Sequence, residues 1–317
     1  MANFLIRSDR VRDGRPRRPG HRRAGTGSAR WIGLVAGAGL TAALAAGPGS
    51  TGLDGAPENE VSFHGAANGT IIVPVIARGR AYRFLLDTGS SHTIVTESLA
   101  ATLGAAVVSR SEIITPGGAA VWPIVELPDL TIGSVRVSSI LATRLPDRQQ
   151  AVLGPGVSGL LGQDLLSRFA YTLDYEASKL VWHDAGDRLP GARLALEPMQ
   201  GRFVVLLPQE PRCRCSLRLV PDSGATGLVL YDGTTADWLH VREDVGTVRV
   251  ASLVGRRAAR AVVIPDLRVG QFRLWDLPAA WARRTGGDEE GDGLLPLSMF
   301  RRVHINSRQH FMTVEPR

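Results

Sequence analysis

A short Asp-(Thr/Ser)-Gly loop that occurs twice constrains the fold of this chain more than any other feature. Asp87-Thr88-Gly89-Ser90 follows the apolar run 84–86, and Asp222-Ser223-Gly224-Ala225 follows Leu219 and Val220, 135 residues later. One such loop would be ordinary turn chemistry, because aspartate and glycine favour turns. Two loops in two copies of the same unit would instead meet across a pseudo-twofold axis.

Three further landmarks recur in the same order after each loop. Residues 128–137 (PDLTIGSVRV) and 265–274 (PDLRVGQFRL) share Pro, Asp, Leu, Gly and Arg at matching offsets. A Gly-Leu-Leu motif begins 72 residues after Asp87 and 71 residues after Asp222. Each copy then ends in a strand-like stretch, at residues 171–175 and 303–306. Matching order and spacing predict an internal duplication with one lobe per copy.

These motifs resemble those of the pepsin/retropepsin superfamily of aspartic peptidases, and most closely the bacterial retropepsin-like proteins with both lobes in one chain. In that family a hydrophobic-hydrophobic-Gly element crosses beneath each aspartate loop. Leu160-Leu161-Gly162 matches the element fully, whereas Leu294-Leu295-Pro296 matches only its apolar part. The resemblance covers residues 60–317 and implies an all-β, bilobal double β-barrel with a pseudo-twofold relation.

Composition agrees with an all-β body. The chain of 317 residues is 44% hydrophobic, contains 36 Gly and 19 Pro, and has many short Val/Ile/Leu runs. We predict an Arg-rich tail with a signal peptide or anchor at 1–50, an N-terminal lobe at 51–190 and a C-terminal lobe at 191–317. Residues 51–68 and 183–198 have the composition of linkers.

The net charge of the chain is confined to its N-terminal tail. The whole chain has a formal charge of +7, and residues 1–30 alone, with nine Arg and two Asp, account for all of it. The remaining residues are balanced, so no basic face is indicated and a nucleic-acid partner is disfavoured. We expect a two-lobed monomer whose partner is a peptide or protein substrate.

An apolar stretch at 31–46 follows the Arg-rich tail. Its 16 residues are fewer than the roughly 20 that a spanning helix needs. A positive flank, an apolar centre and small residues near Ala45 are typical of a secretory signal peptide. An uncleaved membrane anchor and a disordered Ala/Gly tail are the alternatives. The pattern favours export to the periplasm or to the outer face of the membrane.

The resemblance assigns roles to the loop residues. Asp87 and Asp222 are the predicted catalytic pair, and Pro116-Gly117-Gly118 is either a flap over the substrate or an ordinary hairpin turn. No metal and no cofactor is needed, because two close carboxylates that share one proton activate water themselves. We expect activity at acidic to mildly acidic pH. Five residues are predicted to support the two loops: Thr88, Gly89, Ser90, Ser223 and Gly224.

Two departures from the family pattern lie in the second lobe. Pro221 precedes the second aspartate and has no N–H for the sheet, and Pro296 replaces the glycine of the crossing element. They leave open a second hypothesis, an inactive peptide-binding or assembly protein on the same scaffold. A Ser-His-Asp hydrolase is a third hypothesis, which is disfavoured because the sequence lacks the motif Gly-x-Ser-x-Gly.

Overall fold

The computed structural model describes residues 5–7, 59–65, 69–115, 118–184, 186–187, 189–210, 215–232, 239, 241–251, 256–284 and 291–317. Two short α-helices, α1 (Glu97–Thr102) and α2 (Gln163–Leu166), and 3-10 turns at Asp147–Val152, Leu297–Met299 and Ser307–Gln309 accompany the strands of these ranges. Strands of the first half are β1 (Leu5–Arg7), β2 (Glu60–Ser62), β3 (His64–Gly65), β4 (Ile71–Ala77), β5 (Arg80–Leu86), β6 (Ile94–Thr96), β7 (Val107–Thr115), β8 (Gly118–Leu127), β9 (Leu130–Ile132), β10 (Val135–Val137), β11 (Ile140–Leu145), β12 (Gly159–Leu161), β13 (Ala170–Asp174) and β14 (Lys179–His183). Strands of the second half are β15 (Ala192–Met199), β16 (Arg202–Glu210), β17 (Cys215–Asp222), β18 (Leu228–Tyr231), β19 (Arg242–Ala251), β20 (Arg256–Val269), β21 (Phe272–Ala282), β22 (Gly293–Pro296), β23 (Phe300–Asn306) and β24 (Phe311–Pro316).

The strands pair into two large sheets, and the predicted all-β, two-lobed fold is confirmed. The ten-stranded sheet has the order β10-β9-β4-β5-β12-β6-β11-β8-β7, with β3 beside β4. The fourteen-stranded sheet has the order β1-β19-β20-β21-β18-β22-β17-β16-β15-β24-β23-β13-β14-β2. Among the described residues the strand pairings close neither sheet into a barrel.

The same strand topology occurs twice, as the sequence repeat predicts. In the first copy, β12 runs parallel to β5 and antiparallel to β6, and β11 runs parallel to β6. In the second copy, β22 has the same relation to β17 and β18, and β21 runs parallel to β18. Each Gly-Leu-Leu strand therefore lies between the strand that enters an aspartate loop and the strand that leaves it.

Matching glycines turn the chain at the repeated Pro-Asp-Leu motif. Gly133 has φ of 61° between β9 and β10, and Gly270 has φ of 60° between β20 and β21. Positive φ at the first residue of a two-residue hairpin loop is the geometry of a type II′ turn, which glycine adopts without steric cost. The repeat in the sequence is thus a repeat of turn geometry.

Two segments predicted as linkers contain strands. β2 pairs with β14, and the side chains of Val61 and Phe63 are buried. β15 lies between β16 and β24 with alternating buried residues, namely Ala192, Leu194 and Leu196. The prediction missed β15 because the Asp, Gly and Pro residues before it obscure a period-two pattern that starts at residue 192.

Most buried apolar side chains form one continuous core. It includes residues of both copies, such as Leu86 and Leu161 from the first and Leu219 and Leu295 from the second. Leu86 and Leu219 lie on the strands that enter the loops, and Leu161 and Leu295 lie on the crossing strands beside them, so the loops begin on well-packed strands. The domain boundaries given above stay predictions.

Candidate active site

The two aspartate loops are joined by four reciprocal hydrogen bonds. The backbone N–H of Thr88 donates to Ser223 Oγ at 3.0 Å, and the N–H of Ser223 donates to Thr88 Oγ1 at 3.0 Å. The Thr88 hydroxyl then donates to the carbonyl oxygen of Pro221 and the Ser223 hydroxyl to that of Leu86, each at 2.8 Å. Each hydroxyl therefore both donates and accepts a hydrogen bond, and each loop is held by the backbone of the other.

The crossing strands support the loops from beneath in the same register. Leu161 lies opposite Leu86 in one copy, and Leu295 lies opposite Pro221 in the other. The first residue of each Gly-Leu-Leu motif must be glycine, because the chain approaches neighbouring residues closely there. A Cβ added to Gly159 would lie closer than 3.0 Å to Phe84 and Ile94, and one added to Gly293 would lie equally close to the Val229 carbonyl.

The last residue of the crossing motif differs between the copies. A Cβ on Gly162 would press on the backbone of His92, and the Gly162 N–H donates to Thr93 Oγ1. Pro296 lacks that N–H, yet it stays in parallel register with Asp222. The substitution therefore removes one hydrogen bond without displacing the crossing strand.

Pro221 shortens the sheet next to the second loop. In the first copy the β4–β5 ladder extends to the pair Ile71 and Leu86, immediately before Asp87. In the second copy the β16–β17 ladder ends at the pair Val205 and Leu219. The missing N–H of proline accounts for this earlier end. The carbonyl of Pro221 still accepts from Thr88, so the loop keeps its anchor.

The carboxyl groups of Asp87 and Asp222 lie together in a site closed from solvent. Both residues are 0% exposed, and each carboxyl changes the pKa of the other. Gly89 makes this approach feasible, because a Cβ at that position would lie closer than 3.0 Å to the Asp222 carboxyl. The predicted pair is thus brought together by the fold.

The two carboxyls receive different numbers of backbone donors. Asp87 Oδ1 accepts from the N–H of Gly89 at 2.9 Å. Asp222 Oδ1 accepts from two N–H groups, those of Gly224 at 2.7 Å and Ala225 at 2.9 Å. Neither Oδ2 atom accepts from an N–H or O–H of the described residues. A single proton shared between the two carboxyls would satisfy both Oδ2 atoms.

Burial raises the pKa of both groups, and the charge of Asp222 raises the pKa of Asp87 further. Burial raises the pKa of Asp87 well above its ordinary range, and the Asp222 charge adds to this. Burial also raises the pKa of Asp222, to about 6, while the Asp87 hydrogen bond and the N–H groups of Gly224 and Ala225 oppose the rise. The extra donor therefore favours the ionised form at Asp222 and the shared proton at Asp87.

Ser90 supports its own loop, and the segment predicted as a flap belongs to a hairpin. The Ser90 hydroxyl donates to the carbonyl of His92 at 2.8 Å, so it braces its own loop and does not bind the Asp87 carboxyl. β7 and β8 form a hairpin that pairs as far as Thr115 and Gly118. Pro116 and Gly117, the predicted tip, lie outside the described residues.

Polar residues directly after Gly162 were not among the predicted site residues. The side chain of Gln163 is 3% exposed, and its Nε2 donates to the carbonyl oxygen of Thr88 at 3.0 Å. Asp164 accepts from the N–H and the hydroxyl of Thr93 at 2.9 and 2.8 Å. The signal was present in the sequence, since two polar residues follow an apolar crossing motif where the second copy has Leu297 and Ser298.

The described residues contain no group of three or more His, Cys, Asp or Glu side chains arranged to hold a metal ion. The polar groups of the site are the two carboxyls, the two bracing hydroxyls and the backbone donors around them. Such an arrangement can take a proton from water and give a proton to a carbonyl oxygen.

Comparison with known protein families agrees with this geometry. The model of a family described as aspartyl protease matches residues 73–165 and 214–299, more than half of the chain. The chain belongs to the aspartyl protease family. Each matched region contains one aspartate loop and one crossing motif, so the two matches correspond to the two copies of the repeat. Comparison with curated proteins gives no match.

Among the described residues, none of the helices has both the length and the apolar character needed to cross a membrane. The apolar stretch 31–46 on which the prediction of a signal peptide or anchor rests lies outside the described residues.

Proposed function

We propose that this protein is an aspartic endopeptidase in which Asp222 is the general base and Asp87 the general acid. The observation that carries the proposal is the pair of buried Oδ2 atoms, which have no hydrogen-bond partner among the described residues and belong to the carboxyls of two adjoining loops. A metal-independent water activation needs this arrangement of one ionised and one protonated carboxyl.

The reaction follows from the unequal environments. Asp222 takes a proton from a water held between the carboxyls, and the water oxygen attacks the carbon of the scissile peptide bond. Asp87 gives its proton to the carbonyl oxygen, which yields a gem-diol. Asp222 then protonates the amide nitrogen as the C–N bond breaks, and Asp87 recovers a proton from the gem-diol. Two peptides leave and the site again holds one proton.

Retention of a single proton defines the pH range of activity. Activity should fall at low pH as Asp222 is protonated and at high pH as Asp87 loses its proton. Burial raises both pKa values, to about 6 for Asp222. The proposed range therefore extends from mildly acidic to neutral pH, above the range expected from sequence.

The test is cleavage of an unfolded protein by the purified full-length chain. Asp87→Asn and Asp222→Asn should each lower the rate by a factor of about 10² to 10⁴ or more, because one carboxyl cannot act as both acid and base. EDTA should have no effect, and a statine-type inhibitor should slow cleavage because it mimics the gem-diol.

The duplicated surface motif supplies matched controls. Asp129 pairs with Arg136 in one copy and Asp266 pairs with Arg273 in the other, at equivalent exposed sites. Asp129→Asn and Asp266→Asn change charge equally but should leave the rate unchanged, since exposed ion pairs contribute little. A wild type that binds peptides but cleaves none between pH 3 and 8 would favour the inactive scaffold.

A further inference from the structure

Gln163 binds the one peptide unit that also contacts the Asp87 carboxyl. Its Nε2 donates to the carbonyl oxygen of Thr88 at 3.0 Å. The N–H of that same peptide unit belongs to Gly89 and donates to Asp87 Oδ1 at 2.9 Å. The side-chain amide, the peptide and the carboxyl thus form a continuous hydrogen-bonded chain.

The position of Gln163 is closely determined. Its own N–H donates to the carbonyl of Ser90 at 2.8 Å, which joins the start of α2 to the aspartate loop. The orientation of its amide is also determined, because a carbonyl oxygen accepts only and the NH₂ group must face Thr88. Its Oε1 has no hydrogen-bond partner among the described residues, so the contact to Thr88 is the one its side chain makes.

A donor on the carbonyl side of a peptide strengthens the N–H on the other side. Consecutive hydrogen bonds polarise one another by about 10–30% per bond. Polarisation by Gln163 makes the Gly89 N–H a better donor to a negatively charged oxygen, and this favours the ionised form of Asp87. The effect opposes burial and the charge of Asp222, which both favour the protonated form.

The second copy has no equivalent of this side chain. Leu297 follows Leu295-Pro296 as Gln163 follows Leu161-Gly162, and its apolar side chain cannot donate. Asp222 instead receives a second direct N–H, from Ala225. The two copies therefore favour the ionised form of their carboxyl in different ways. Asp87 is stabilised through the hydrogen-bonded chain from Gln163, and Asp222 through an additional N–H donor.

We propose that Gln163 is a positioning residue that tunes Asp87 through the Thr88–Gly89 peptide. The expected effect of Gln163 on the cleavage rate rests on the proposed function. The expected effect of Gln163 on the protonation of Asp87 does not depend on activity. Without Gln163 the shared proton is held more tightly by Asp87, and Thr88 loses the contact that fixes its carbonyl.

The experiment replaces the amide by apolar side chains of similar length. Gln163→Met keeps an unbranched chain without N–H, and Gln163→Leu copies the second lobe. In both, the high-pH limb of the cleavage profile should move up by about 0.2–0.5 pH unit, from the loss of that polarisation. The kcat should fall about 10-fold with KM nearly unchanged, because Gln163 orients the acid.

A second readout does not need cleavage. Asp side chains labelled with ¹³C at the carboxyl give a titration curve for Asp87, identified by its loss in Asp87→Asn. The midpoint should rise in Gln163→Met by the same amount as the high-pH limb. If the wild type cleaves nothing, the proposed function fails, and this titration still decides the role of Gln163.

A matched control separates tuning from general destabilisation. Leu165 is fully buried in α2 and belongs to the hydrophobic core. Leu165→Ala should lower the melting temperature without moving the midpoint of Asp87. The inference is overturned if the Gln163 variants leave the midpoint unchanged or lower it, or if Leu165→Ala raises it equally.

Discussion

At the scale of single residues, the two aspartates oppose folding above acidic pH. Burial raises the pKa of Asp222 from 3.8 to about 6, and that of Asp87 is raised further. A group whose pKa is higher in the folded state contributes its stability below the unfolded pKa and loses it as the pH rises through the folded value. The two aspartates therefore have little effect on the stability of the fold at pH 4 and lower that stability at pH 7.

Replacement of one aspartate should consequently stabilise the protein at neutral pH. Asp222→Asn removes a titration that costs about 3 kcal/mol at pH 7, from two pH units at 1.36 kcal/mol each. Relative to wild type, we expect the free energy of unfolding to be higher by about 1–3 kcal/mol at pH 7 and nearly equal at pH 4. Urea unfolding at the two pH values measures this, and an equal gain at both would contradict the assigned titration.

At the scale of elements, each loop is hydrogen-bonded to the backbone of the other. Thr88 and Ser223 exchange two hydrogen bonds. Their hydroxyls donate two more, to the carbonyls of Pro221 and Leu86, so each hydroxyl satisfies a buried backbone carbonyl and a buried N–H of the opposite loop. Pro221 removes a sheet N–H at this place, so the contact from Thr88 adds support on the side where the β16–β17 ladder has already ended.

Loss of the Thr88 hydroxyl should therefore destabilise the whole fold. Thr88→Val keeps the shape but leaves the Pro221 carbonyl and the Ser223 N–H unsatisfied, at a cost of about 2–4 kcal/mol. Thr88→Ser retains the hydroxyl and should lose less than about 1 kcal/mol. Denaturant titration of both variants measures the difference, and equal stabilities would show that the hydroxyl contributes little.

At the scale of the whole molecule, the charge distribution separates a basic tail from a neutral body. All of the net charge of +7 is accounted for by residues 1–30, ahead of the apolar stretch 31–46. This order of charge and apolar residues is typical of export signals. The proposal that follows is that the two-lobed body resides outside the cytoplasm.

Fractionation of the native host tests this proposal. The body should be recovered from the extracytoplasmic fraction or from the membrane, and N-terminal sequencing should place the mature start near Ala46 if cleavage occurs. A variant with Arg22, Arg23 and Arg30 changed to Glu should be retained inside, because the positive flank directs export. A full-length product in the cytosol of the wild type would contradict the proposal.

The duplication, the all-β class and the two aspartate loops could be predicted from the sequence, because these depend on local chemistry. Turn glycines such as Gly133 and Gly270, short apolar runs and the spacing from Asp87 to Gly159 are all visible along the chain. Strand β15 was missed because its alternation begins within a Gly- and Pro-rich segment.

The way in which the two loops meet could not be predicted from the sequence. The hydroxyl exchange between Thr88 and Ser223 joins residues 135 positions apart, and no local pattern specifies which carbonyl each hydroxyl reaches. The unequal donors of Asp87 and Asp222, and the contact of Gln163 with Thr88 across 75 positions, likewise arise from packing. Residue types can be read from a sequence, but the burial and mutual distance that shift a pKa exist only after the chain has folded.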